Sequence, residues 1–130
     1  MVLAKKVWVA KNFKERMQGL IVHKPLEREE GFLIPHCKGV HTFGMSYTID
    51  VIYLDSNGKI LAIRNKLTPN SVGPIHFKTD AVLELPSGVI EETQTERGDV
   101  IVLSGAVEPT GIDQETVFAH LPFHLLKIPA

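Results

Sequence analysis

A single, mostly β domain with one or two short helices is the fold class this sequence predicts, and three features predict it. Residues 51–54, Val51-Ile52-Tyr53-Leu54, are apolar without interruption and of β-favouring types, the pattern of a strand covered on both faces. Residues 55–59 follow with Asn57-Gly58, a pair that tolerates positive φ and suits a tight hairpin turn. Residues 5–10 alternate Val7 and Val9 with Lys6 and Trp8, the period-2 signature of a strand with one buried face. The chain has 130 residues, a length that suits one core and buries about two thirds of the unfolded surface.

After the 5–10 strand, Asn12 stands three residues before Glu15 in a capping-box arrangement, and Phe13, Met17, Leu20 and Ile21 follow at helical spacing. An amphipathic helix is expected there, ending before Pro25. Residues 26–30 are polar and turn-like, and 31–34 form a brief strand that Pro35 interrupts. The strand at 51–54 is expected at the centre of the sheet, with 60–63 returning as its hairpin partner. Residues 66–79 carry Pro69, Asn70, Ser71, Gly73 and Pro74 and are expected as a long surface loop rather than a domain linker. Further strands are expected at 81–85 and 100–103. Between them, Ser87 is expected to cap a short helix through about Glu96, with Gly98 ending it. Residues 115–126 admit two readings: a helix broken at Pro122, or a strand-like tail packing Phe118, Leu121, Phe123 and Leu125 on the domain or on a partner chain.

Composition narrows the class of partner. Hydrophobic residues at 44% and charged residues at 22% are ordinary for a soluble fold, and a formal charge of -1 supplies no basic excess for phosphate backbones. Nucleic acid is not an expected partner. Lys5 and Lys6 stand where a signal peptide carries its apolar stretch, and no run approaches the roughly 18 apolar residues of a membrane span. A cytoplasmic location away from membranes is therefore expected. Cys37 is the sole cysteine, which excludes an internal disulfide, a CxxC redox motif and a paired-cysteine metal site.

Gly19-Leu20, His41-Thr42-Phe43-Gly44-Met45, Ile49-Asp50-Val51 through Leu54-Asp55, Gly58-Lys59, Leu83-Glu84-Leu85-Pro86-Ser87-Gly88 and Gly98-Asp99-Val100 resemble, in order and spacing, the DUF192 family of small uncharacterised proteins. The resemblance covers about residues 5–104. Where many members resemble a Trp-Met-Lys-Asn-Thr pattern, this chain has Phe43-Gly44-Met45-Ser46-Tyr47-Thr48, so no role of that Lys or Asn carries over. The resemblance implies a compact β-sandwich or barrel-like domain over 1–104, leaves 105–130 as an extension packed on the domain or on a partner, and brings no established activity and no cofactor.

The chemistry must come from the residues. His41, Thr42, Met45, Tyr47 and Asp50 offer an imidazole, two hydroxyls, a soft apolar group and a carboxyl within ten positions, a mixed wall suited to a small polar ligand. Gly44 among them either lets a ligand approach the backbone or marks a bulge. Asp50 and Glu84 each adjoin apolar strand residues, and burial there raises a carboxyl pKa toward values useful for proton transfer. They could line one pocket, with either acting as general base and His41 as acid in a hydrolase-type enzyme. The bland alternative has Asp50 accepting backbone N–H bonds at a strand end and Glu84 facing solvent.

Cys37 and His41, with Met45, are of metal-ligand type, but residues four apart in a strand lie about 13 Å apart, so no metal is expected. The same distance disfavours Cys37 and His41 as a nucleophile pair. The reading that follows is a small-molecule-binding domain lined by residues 41–50. Its alternatives are the hydrolase-type enzyme and a structural or interaction module that self-associates through residues 105–130.

Overall fold

A computed structural model describes residues 2–10, 25–42, 45–105, 118–121 and 123–128. The helix expected from Asn12 and the position of Gly44 lie outside these residues. Two sheets organise the rest. The larger has strand order β5-β4-β6-β3-β2-β8, built from β2 (Lys6–Ala10), β3 (Glu30–Pro35), β4 (Ile49–Leu54), β5 (Ile60–Leu67), β6 (Ala81–Pro86) and β8 (Phe118–Leu121). The smaller has order β1-β9-β7, from β1 (Val2–Ala4), β7 (Val100–Gly105) and β9 (Phe123–Ile128). All these pairings are antiparallel except β2 with β3.

β4 is covered on both faces as its composition predicts, all six residues buried between partners β5 and β6, but it stands next to the β5 edge of the large sheet, whose centre is β6 and β3. Strand alternation divides its side chains between two cores. Ile52 and Leu54 join Leu3, Ala4, Val7, Ile60, Leu83, Leu85, Ile90 and Ile101 in the layer shared with the small sheet. Ile49, Val51 and Tyr53 join Phe32, Ile34, Met45, Leu67 and Val82 on the opposite face. Each such buried side chain contributes about 1.5–3 kcal/mol of transfer free energy, so the sheet is held from both sides.

The sheets share a bent ribbon. A single residue, Lys5, separates β1 in one sheet from β2 in the other, and Pro122 alone separates β8 from β9, while β2 pairs with β8 and β1 with β9. Lys5 and Lys6 backbone N–H groups both donate to the Glu29 carbonyl at this corner, at 2.7 and 3.1 Å. On the far side a bridge joins Lys59 to Val100. The layers form a sandwich-like domain that does not close into a barrel.

The second core is covered by chain rather than by a sheet. Residues 36–42 and 68–76 run against one another through Thr42 N–H to the Ser71 carbonyl at 2.8 Å, Gly73 N–H to Val40 at 2.9 Å and His76 N–H to Lys38 at 3.1 Å. Tyr53 fixes this cover from below, donating its hydroxyl to the Pro74 carbonyl at 2.8 Å with its ring edge-on to His76. Val72, Ile75 and Phe77 stand exposed on its outer side.

Several elements depart from the sequence reading. β5 runs to Leu67, beyond the expected end at 63, so the surface loop starts at 68. The helix α1 is only Val89–Glu92, with Gly88 at the cap position in left-handed conformation (φ 97°) and no side-chain cap from Ser87. It stops early because Thr93 donates its hydroxyl back to the Val89 carbonyl at 2.7 Å and Gln94 turns left-handed. Residues 118–121 and 123–128 are strands, the second of the two readings of the tail.

Candidate functional site

Glu84 sits in the middle of a row of side chains that crosses the large sheet. Strand register places Trp8 beside Phe32, Phe32 beside Glu84, Glu84 beside Val51 and Val51 beside Arg64. Because Val82 and Val51 belong to the covered second core, alternation turns Glu84 toward the same layer, under the 36–42 and 68–76 chain. Glu84 is only 3% exposed, and its Oε2 has no hydrogen-bond partner among the described residues. Burial among these neighbours pushes its pKa up to about 8, so the side chain is mostly the neutral acid at neutral pH.

Tyr47, from the segment leading into β4, reaches the same layer. The residue is half-buried, yet its hydroxyl is enclosed and without a partner. Burial first, and then the charge of Glu84, hold its phenol well above the usual tyrosine range. Tyr53 is pushed up to about 12, chiefly by burial and further by Cys37 and Glu84, with Arg64 opposing; its hydroxyl is already used on Pro74. Two enclosed oxygens, on Glu84 and Tyr47, are thus left unsatisfied in one layer. Each such orphan costs about 1–3 kcal/mol, a cost that a bound molecule with matching polar groups removes.

Asp50 has a different task. Strand pairing sets it opposite Leu85 while Glu84 stands opposite Val51, so the two carboxyls occupy opposite faces of the sheet. The expectation that they line one pocket is corrected by that one-residue offset. Asp50 is fully buried, its Oδ1 accepting from Lys66 N–H at 2.9 Å and its Oδ2 from Gly88 and Ile90 N–H at 3.1 and 2.9 Å. Lys66 lies where β5 carries an extra residue relative to β4, in left-handed conformation (φ 53°). One carboxyl therefore satisfies the bulge of β5 and the start of α1, which explains why α1 needs no cap from Ser87.

The remaining candidates divide by role. Thr42 is buried and clamps the cover: its hydroxyl donates to the Thr68 carbonyl at 2.6 Å and accepts from Ser71 N–H at 2.8 Å. Met45 is 6% exposed and belongs to the core beneath Tyr47. His41 is exposed, its backbone bridging Val72. Cys37 is half-buried and donates its thiol to the Gly39 carbonyl at 2.9 Å. Among the described residues no group of three or more His, Cys, Asp or Glu is arranged to hold a metal ion. Phe32 flanks Glu84, and Trp8 stands beyond it in the same row, without any signal in the sequence, because only strand register aligns them.

Fold and site together define a small mixed-sheet β domain with a buried acid and phenol under a two-segment cover. The chain belongs to the DUF192 family, described as "Uncharacterized ACR", whose sequence pattern matches residues 2–103. Its fold is similar to that of a Sinorhizobium meliloti protein provisionally named a transcription regulator, at TM-score 0.65 and 22% identity, covering 72% of this chain and 78% of that one. It is equally similar to a Novosphingobium aromaticivorans protein of unknown function, at TM-score 0.65 and 22% identity, covering 72% and 71%. No curated protein matches the chain at a significant level. Among the described residues no helix is long and apolar enough to cross a membrane.

Proposed function

We propose that this protein is a binding domain for a small polar molecule, and that Glu84 and Tyr47 are its recognition groups. The observation that supports this reading is the pair of enclosed, unpartnered oxygens, Glu84 Oε2 and Tyr47 Oη, in a layer with Trp8, Phe32 and Met45. Sites of this composition bury a ligand against apolar walls and orient it with few hydrogen bonds. Of residues 41–50, Met45 and Tyr47 line the site, Thr42 fixes its cover, His41 stands at the surface, and Asp50 serves the other face.

A thermal-shift screen of small polar compounds tests the reading. A true ligand at about 100 times its Kd stabilises the fold by about 2.7 kcal/mol. That shift is expected to vanish in Glu84→Gln and to shrink in Tyr47→Phe, and to persist in Asp50→Asn. Compounds that stabilise all four proteins alike would place the binding site elsewhere. A second reading has one observation in its favour: a carboxyl titrating near 8 suits proton transfer at neutral pH. Glu84 then replaces Asp50 as the general base of a hydrolase-type reaction, and any turnover found should fall in Glu84→Gln and remain in Asp50→Asn.

A further inference from the structure

We propose that the molecule this site takes is a small organic ammonium ion, its nitrogen between Glu84 and Tyr47 and its alkyl part against Phe32. The inference rests on the binding-site reading above and adds the charge and chemical class of the ligand. It follows from which groups are already used. The Trp8 indole N–H donates to Glu30 Oε2 at 2.7 Å, the Tyr53 hydroxyl to Pro74 at 2.8 Å, and the Thr42 hydroxyl to Thr68 at 2.6 Å. Among the described residues three buried oxygens remain without a partner, on Glu84, Tyr47 and Thr79, the last in the segment before β6; the carboxyl and the phenol can both accept hydrogen bonds, and Phe32 stands beside Glu84.

Among the described residues the site has no cation of its own. The ion pairs of the described residues join Lys5 to Glu29, Arg28 to Glu92, His36 to Asp80 and Lys66 to Glu91, and none reaches Glu84. Arg64 shares its row but is exposed and stands beyond Val51, about two strand spacings or roughly 10 Å away. An ammonium ion would supply both the counter-charge and the donors, and aromatic faces attract such cations by about 0.5–2 kcal/mol.

Binding exchanges one charge for another. The ligand enters as R–NH3+, the O–H bond of the neutral Glu84 carboxyl breaks, its proton leaves to solvent, and the carboxylate keeps the electron pair and accepts an N–H bond. Net charge is conserved, and one proton is released for each ammonium bound. Affinity must then rise with pH for as long as Glu84 is protonated in the empty protein.

Isothermal titration of the full chain with n-butylammonium chloride, and with 1-butanol as its uncharged counterpart, tests this in two buffers of different protonation enthalpy. The expected result is butylammonium binding that tightens about tenfold per pH unit between about pH 6 and pH 7.5 with close to one proton released. Both the binding and the release should be lost in Glu84→Gln, whose side chain mimics the neutral acid. Tyr47→Phe should weaken binding and keep the proton release. If butanol binds as tightly as butylammonium, or butylammonium binds without releasing a proton, the ligand is not an ammonium ion although the site stands. Absence of butylammonium binding at millimolar concentration overturns the inference as well, and the compound screen then decides separately whether the site binds anything.

Discussion

Asp50 and Glu84 are both acidic residues set among apolar neighbours, and a single step of strand register separates their fates. Asp50 spends both oxygens on three backbone N–H groups. Asp50→Asn replaces one acceptor by a donor facing those N–H groups and should destabilise the protein by about 2–3 kcal/mol, read as a lower urea midpoint. Glu84 accepts nothing at Oε2 and holds its proton up to about pH 8 in the folded protein, against 4.5 as its ordinary value. Between those values folding takes up a proton, so stability should fall as pH rises, by at most about 1.4 kcal/mol per pH unit. Below the window both states are protonated, above it neither is, and the dependence should level off. Glu84→Gln should remove this slope and raise stability at pH 7 by about 3 kcal/mol; urea titrations across the window check both. Composition and flanking residues made both carboxyls visible as candidates. Which face each takes was not readable, because it depends on the pairing of β4 with β6.

Among the elements, the 55–59 turn was the most legible, because its geometry is local. Asp55 accepts Asn57 and Lys59 N–H at its own side-chain oxygen (2.8 and 2.9 Å), and Gly58 takes φ 80°. The turn also has a tertiary role that sequence does not reveal: a Cβ on Gly58 would lie 2.5 Å from the Ile101 carbonyl oxygen, while Ile101 N–H donates to the Gly58 carbonyl at 2.8 Å. Gly58→Ala combines a positive φ with a backbone collision and should cost about 3 kcal/mol, measurable by chemical denaturation. Helix α1 was legible only as a helix in about that place. Its start is satisfied by Asp50 from a distant strand, so the nearby Ser87 misleads. β1 escaped notice because three residues are too few to show a period.

At the scale of the molecule, the mostly β class and the burial of β4 on both faces followed from patterns within single strands. The division into two sheets did not, because it depends on strands that pair across the whole chain. Residues 123–128 supply the middle strand of the small sheet, although the family pattern ends at residue 103. Removing residues 106–130 should therefore leave β1 and β7 without a shared neighbour and abolish cooperative thermal unfolding, followed by circular dichroism; a truncated chain that melts as sharply as the full one would show that β9 is dispensable.

The position of β9 also governs how the protein is made. A ribosome delivers β1 early and β7 much later, and neither can find its neighbour until β9 has emerged. Leu3, Ala4 and Ile101, which end up in the interior, stay open to water and to other nascent chains throughout that interval. Folding of this layer is thus a late event that closes contacts between distant parts of the chain, the kind that forms slowly and exposes a newborn protein to aggregation and to chaperones.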